Sequence, residues 1–226
     1  MLLLALDTSA AATVALVRDD VVVGRFASAD TRSHAEVLAP AVRGVLADAG
    51  VAGPELDAII AGVGPGPFTG LRAGLVTART LGFVWGVALH GVMSLDALAF
   101  DAVAGSAALP GAEFLVGTDA RRGEVYWAAY RAPAQGGILP ELLDGPHVGT
   151  AAALPGSRPV IGRAAGLYPE DLDGVPGFTT ADPDAASLGL VAHARLLADR
   201  SLLDTSPLYL RESDAQVPGP RKRATA

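Results

Sequence analysis

The sequence predicts an α/β protein made of two similar units, each opening with a β-hairpin. Three observations carry this expectation. Short apolar, β-branched runs alternate with helical stripes along the chain. A strand ending in aspartate occurs twice, residues 2–6 running into Asp7 and residues 114–118 into Asp119, and each turns at once into a second strand. Asp119 follows Asp7 by 112 residues, nearly half of the 226-residue chain, which reads as a degenerate duplication.

In order, residues 2–6 form a continuous apolar run, the mark of a strand buried on both faces. Residues 13–17 and 21–26 are β-branched runs split by Arg18-Asp19-Asp20, so an antiparallel meander opens the chain. A helix follows, with Ser33 and Glu36 in the relation of a capping box and Gly50 placed to close it. Leu38, Val42, Val45, Leu46 and Ala49 fall on one stripe of that helix, and Pro40 inside it is expected to bend it. Residues 56–63 read as a strand leading into the loop Gly64-Pro65-Gly66-Pro67-Phe68-Thr69-Gly70, from which a helix runs to about Phe83. A strand over 87–92 and a helix over 95–102, capped by Ser94, complete the first unit. The uncharged run from Thr80 to Leu95 is too short for a membrane helix and is broken by Gly82, Gly86, His90 and Gly91. It reads as a buried helix end followed by a buried strand.

The second unit repeats the hairpin, turned by Arg121-Arg122-Gly123, and then becomes poorer: a loop-rich stretch over 133–159, a strand over 160–162 and a helix over about 185–199. The expected lobes are 1–108 and an abbreviated 109–226, with the helix near 185–200 available to pack back on the first lobe. Pro218-Gly219-Pro220 opens a tail holding Arg221-Lys222-Arg223, expected to be disordered.

Composition removes several classes of function. Half of the residues are hydrophobic, enough for a core, so a mainly disordered chain is excluded. With no cysteine there is no disulfide scaffold, thiol nucleophile, iron–sulfur cluster or cysteine-ligated zinc. A net charge of −7 and a single lysine, Lys222, oppose a broad phosphate-neutralising face. The opening residues lack a basic segment before their apolar run, so a signal peptide is not expected and the protein is read as cytosolic.

The residues that could carry chemistry are few. Asp7, followed by the hydroxyls of Thr8 and Ser9, stands where a phosphate-handling carboxylate would sit in a repeated α/β fold, although a buried strand simply ending in a turn is the stronger reading. The glycine/proline loop resembles a phosphate cradle, because small residues before a helix expose backbone N–H groups. It lacks the Lys and Ser/Thr of a P-loop, however, and Pro65 and Pro67 have no N–H to offer, so a rigid connector is the stronger reading. Gly70, Gly74 and Ala78 repeat every four residues on one helix face, and Gly82 continues the row. Interior glycines cost about 1 kcal/mol each, so something approaches that face closely: the sheet beneath, or a helix of another chain. His34, His90, His147 and His193 are too scattered for a metal motif, and no G-x-S-x-G elbow is present.

Five segments together resemble one family. They are Leu4-Ala5-Leu6-Asp7-Thr8-Ser9, Ser33-His34-Ala35-Glu36-Val37-Leu38-Ala39-Pro40, Gly64 through Gly74, Asp119-Ala120-Arg121-Arg122-Gly123-Glu124-Val125-Tyr126, and Pro207-Leu208-Tyr209-Leu210-Arg211. In this order they resemble the bacterial TsaB (YeaZ) family. The resemblance implies the two-lobed fold of the sugar kinase, heat-shock ATPase and actin superfamily. It also implies a non-catalytic subunit of the machinery that makes threonylcarbamoyladenosine in tRNA. Such a subunit would bind the catalytic subunit TsaD, work alongside TsaE, form a homodimer when alone, and meet tRNA only through its partners. The metal-holding histidine pair of TsaD aligns with Ser94 and Leu98, so neither catalytic residues, metal ligands nor an intrinsic cofactor are expected, although a nucleotide could lie at the partner interface. The expected interface is the helix pair starting at Ser33 and Thr69, through Leu38, Val42, Gly70, Gly74, Thr77, Ala78 and Leu81. The alternative is an enzyme, a nucleotide hydrolase or peptidase using Asp7 and the glycine/proline loop.

Overall fold

Strand β1 (Leu2–Asp7) lies at the centre of a five-stranded sheet, antiparallel to β2 (Thr13–Arg18) and parallel to β4 (Ala58–Gly62). Strands β3 (Val21–Ala27) and β5 (Ala88–Val92) form the edges, giving the order β3-β2-β1-β4-β5. The computed structural model describes residues 1–29, 34–134, 136–156 and 158–211. Alternation along each central strand divides the core between two faces. Leu4, Leu6, Val14, Leu16, Ile59 and Ala61 point to helices α1 (His34–Asp48) and α2 (Phe68–Trp85). Leu3, Ala5, Ala15, Val17, Ala58 and Ile60 point to α3 (Ser94–Ala104) and α5 (Ala185–Leu197).

The second sheet has four strands, in the order β8-β7-β6-β9: β6 (Glu113–Arg121), β7 (Glu124–Arg131), β8 (Glu141–Thr150) and β9 (Val160–Ile161). Its antiparallel, antiparallel, parallel pairing repeats that of β3-β2-β1-β4, so the duplication read from the two aspartates extends to sheet topology. The two sheets are thus the pair of similar α/β units that the sequence predicts. The hairpin between β6 and β7 turns on Arg122 and Gly123, both at positive φ (57° and 78°), the backbone of a two-residue primed turn.

Helix α3 is buried on nearly every side because it is the wedge between the sheets. Ala97 and Phe100 face the first sheet, while Leu95, Leu98, Ala99 and Ala102 pack on Phe114, Val116 and Tyr130 of the second. Its charged residues are paired: Asp96 accepts from Tyr130 Oη at 2.8 Å and meets Arg195 of α5 at 2.8 Å, and Asp101 accepts from Ser187 Oγ at 2.6 Å. Helix α5 packs on β1 and β2, where Gly189 permits the approach, since a Cβ there would press on Val17 and Ala5. On the far face of the second sheet lies α4 (Arg163–Leu167).

Several expectations are corrected. The end of α2 is not buried: Phe83 is 89% exposed and Val84 67%, because only the glycine row and its neighbours turn inward. Strand β5 is a partly exposed edge. The loop-rich stretch contains β8, a ten-residue strand. Ser94 does not cap α3, since its hydroxyl is engaged elsewhere. Gly50, at φ 63°, closes α1, with its N–H on the carbonyl of Ala47. The Ser33 cap and the basic tail lie outside the described residues.

Candidate functional site: the loops between the sheets and the outer helix pair

The carboxyl ends of β1 and β4 and the β6–β7 turn converge between the sheets, where ligands bind in open α/β folds. A cleft of about 690 Å³ lies there, walled by Ser9, Thr69 and Gly70 on one side and Thr118, Asp119, Arg121 and Arg163 on the other. Its charges are matched within the walls: Arg163 grips Asp182 at 2.6 Å, and Arg121 meets Asp119 at 3.0 Å.

Asp7 stands behind the first wall, 1% exposed. Oδ1 accepts from Ser9 N–H at 2.8 Å and Ser9 Oγ at 2.6 Å, and Oδ2 accepts from Ser94 Oγ at 2.5 Å. The Ser94 hydroxyl in turn accepts from Gly64 N–H at 3.1 Å. Burial pushes the Asp7 carboxyl above the usual range, opposed by these hydrogen bonds. The glycines of the following loop explain the sealing. A Cβ on Gly62 would collide with the Asp7 carboxylate, and one on Gly66 would stand 2.8 Å from Ser9 Cα. The glycine/proline loop is therefore laid directly on the Asp7 loop, covering the carboxylate, and both loops border the cleft on one side. Leu98 is packed in the core between the sheets. Among the described residues, no group of three or more His, Cys, Asp or Glu is placed to hold a metal ion.

The small-residue row faces the same loop. Thr8 Oγ1 donates to the carbonyl of Gly70 at 2.8 Å, a Cβ on Gly74 would overlap Thr8 Oγ1, and Gly82 lies over Val87 and Leu89. Of the two neighbours open to the row, the chain's own sheet and loop take the place. Five of the residues expected at the interface lie within the chain's own core: Leu38, Val42 and Ala78 are at most 1% exposed, and Gly70 and Gly74 are buried. Thr77 and Leu81 remain half-buried at its rim.

The outward faces of α1 and α2 hold what sequence reasoning passed over. On α1 they carry Ala39, Pro40, Arg43, Gly44 and Ala47, all exposed, and a Cβ on Gly44 would meet nothing within 4 Å. On α2, Val76 is 61% exposed and lies on the stripe that leads to Phe83 and Val84. The signal was the apolar run itself, which periodicity alone did not separate from a buried segment. No helix among the described residues is long and apolar enough to cross a membrane.

Comparison with known proteins places these features in context. Residues 23–136 match the family model described as TsaD, tRNA N6-adenosine threonylcarbamoyltransferase. An uncharacterized protein of Mycobacterium tuberculosis is 41% identical over 217 residues, covering 94% of this chain and 93% of its relative. The tRNA threonylcarbamoyladenosine biosynthesis protein TsaB of Bacillus subtilis is 31% identical over 235 residues, covering 96% and 97%. Among solved structures, a Pseudomonas aeruginosa protein described as similar to peptidase YeaZ superposes with a TM-score of 0.78 at 30% identity, over 93% of this chain and 99% of that one.

Proposed function

The chain belongs to the TsaB (YeaZ) family, and from that premise we propose that it acts in tRNA threonylcarbamoyladenosine biosynthesis as an accessory subunit that binds TsaD and enables it without chemistry of its own. The two sheets fall within the expected lobes, β1–β5 inside 1–108 and β6–β9 inside 109–226, while α5 packs back on the first sheet. The observation that carries the non-catalytic role is the sealing of Asp7: its carboxylate is spent on Ser9 and Ser94, and the glycine/proline loop occupies the adjacent space. A hydrolase or peptidase using Asp7 would need that loop to lift.

The docking surface is the outer face of α1 and α2. Small residues on α1 allow a close helix approach, and Val76, Phe83 and Val84 on α2 supply apolar area that costs free energy in water. Two such helices meeting an equivalent pair make a four-helix seam. The same face serves a homodimer when TsaD is absent, so the two assemblies compete. Thr77 and Leu81 sit at its inner margin. TsaE joins through the complex, and tRNA contact falls mainly to the partners, in keeping with the net charge of −7.

Co-expression with TsaD and TsaE, followed by size-exclusion chromatography with mass measurement, tests this reading. A TsaD heterodimer that replaces the homodimer supports it. Magnesium-dependent ATP hydrolysis by the pure chain, lost in Asp7→Asn, overturns the non-catalytic role.

A further inference from the structure

We propose that residues 203–211 act as a strap that ties the second hairpin to the start of α2 and so sets the width of the cleft between the sheets. The segment is anchored along its length by different elements. Leu203 and Gly91 exchange backbone hydrogen bonds of 2.8 and 3.0 Å, adding the strap to the free side of β5. Gly91 is required there, because a Cβ would strike the Asp204 carbonyl. Arg79 of α2 then donates to the Thr205 carbonyl at 2.7 Å and to its hydroxyl at 3.2 Å.

At the middle, Leu208 N–H donates to the Val63 carbonyl at 2.8 Å, just before the glycine/proline loop. Its side chain packs against both the core beneath α1 and α2 and the core between the sheets. Tyr209 lies 5.0 Å from the Phe68 ring and accepts from Arg72 Nε at 3.3 Å. Finally, Arg211 pairs with Glu124 and donates to the Arg121 carbonyl at 3.4 Å, both on the β6–β7 hairpin. One segment thus touches the edge of the first sheet, the base of one cleft wall and the hairpin that carries the other. The Arg79 hydrogen bonds at one end and the Arg211 ion pair at the other contribute little singly, so the half-buried Leu208, packed on two cores, holds the unit together. This reading is independent of the docking face and is tested on the isolated chain.

Amide hydrogen exchange on the intact protein decides it. Leu208→Ala should raise exchange about tenfold or more both at 203–205 and at 121–124, with the centres of β1 and β4 unchanged. Arg79→Ala removes only exposed bonds and cannot unfold the core; under the proposal it also raises exchange at 121–124. If Arg79→Ala raises exchange only at 203–206, or Leu208→Ala only beside the substitution, the strap is not one unit and the proposal fails.

Discussion

Ser94 Oγ donates to Asp7 Oδ2 at 2.5 Å while accepting the Gly64 N–H, so one hydroxyl joins the first strand, the glycine/proline loop and the helix between the sheets. Both residues are essentially out of solvent. Ser94→Ala would leave a buried carboxylate oxygen and a loop N–H without this partner, and should destabilise the protein by about 1–3 kcal/mol in urea unfolding. Asp7→Asn keeps the shape and removes a desolvated charge, so it should cost less than Asp7→Ala in the same measurement.

The row of small residues on α2 makes a prediction about coupling. Gly74→Ala places a methyl against Thr8 Oγ1 and should destabilise the isolated protein by about 1–3 kcal/mol. Adding Thr8→Ala, which removes the hydroxyl and methyl in the way, should recover part of the loss. A double-mutant cycle reads this directly, and additive effects would contradict the close packing.

Asp101 gives a pH dependence. Burial is the main cause that pushes its carboxyl up to about 6, against an ordinary value of 3.8. The folded state then binds the proton more tightly than the unfolded state. This contribution therefore favours the fold at low pH, declines as pH rises from about 4 to about 6, and is lost above that. The effect is on the order of 3 kcal/mol, and Asp101→Asn should flatten stability over that window in urea titrations.

Arg195 compensates Asp96 across α5 and α3. Arg195→Leu leaves a buried carboxylate held only by Tyr130 and should cost about 3–5 kcal/mol at neutral pH, with a smaller loss at acidic pH, where Asp96 takes up a proton.

Much of this arrangement is legible in the sequence, and what escapes has physical reasons. The two hairpins stand out because β-branched runs flank short polar turns, and Asp7 and Asp119 mark equivalent strand ends. Strand β8 is obscured by Gly145-Pro146 and by register shifts opposite Ala129, which break its alternation. Helix α4, five residues long, is too short to show a period. Periodicity finds the stripe of Leu38 and Val42 and the row of Gly70, Gly74 and Ala78, but it cannot say what covers them. Thr8, which covers Gly70 and Gly74, is more than sixty residues from them in the chain. The same ambiguity made the uncharged end of α2 look buried, although Phe83 and Val84 face outward.

The docking face on α2 is tested most directly by titrating TsaD, in calorimetry, against the wild-type chain and a Phe83→Ser/Val84→Ser variant. Both side chains are exposed in the monomer, so at protein concentrations too low for the homodimer the isolated variant should keep its stability to within about 1 kcal/mol. Affinity for TsaD should fall about a hundredfold or more, as for loss of apolar anchors at the centre of an interface. Unchanged affinity in a stable, folded variant would contradict the account.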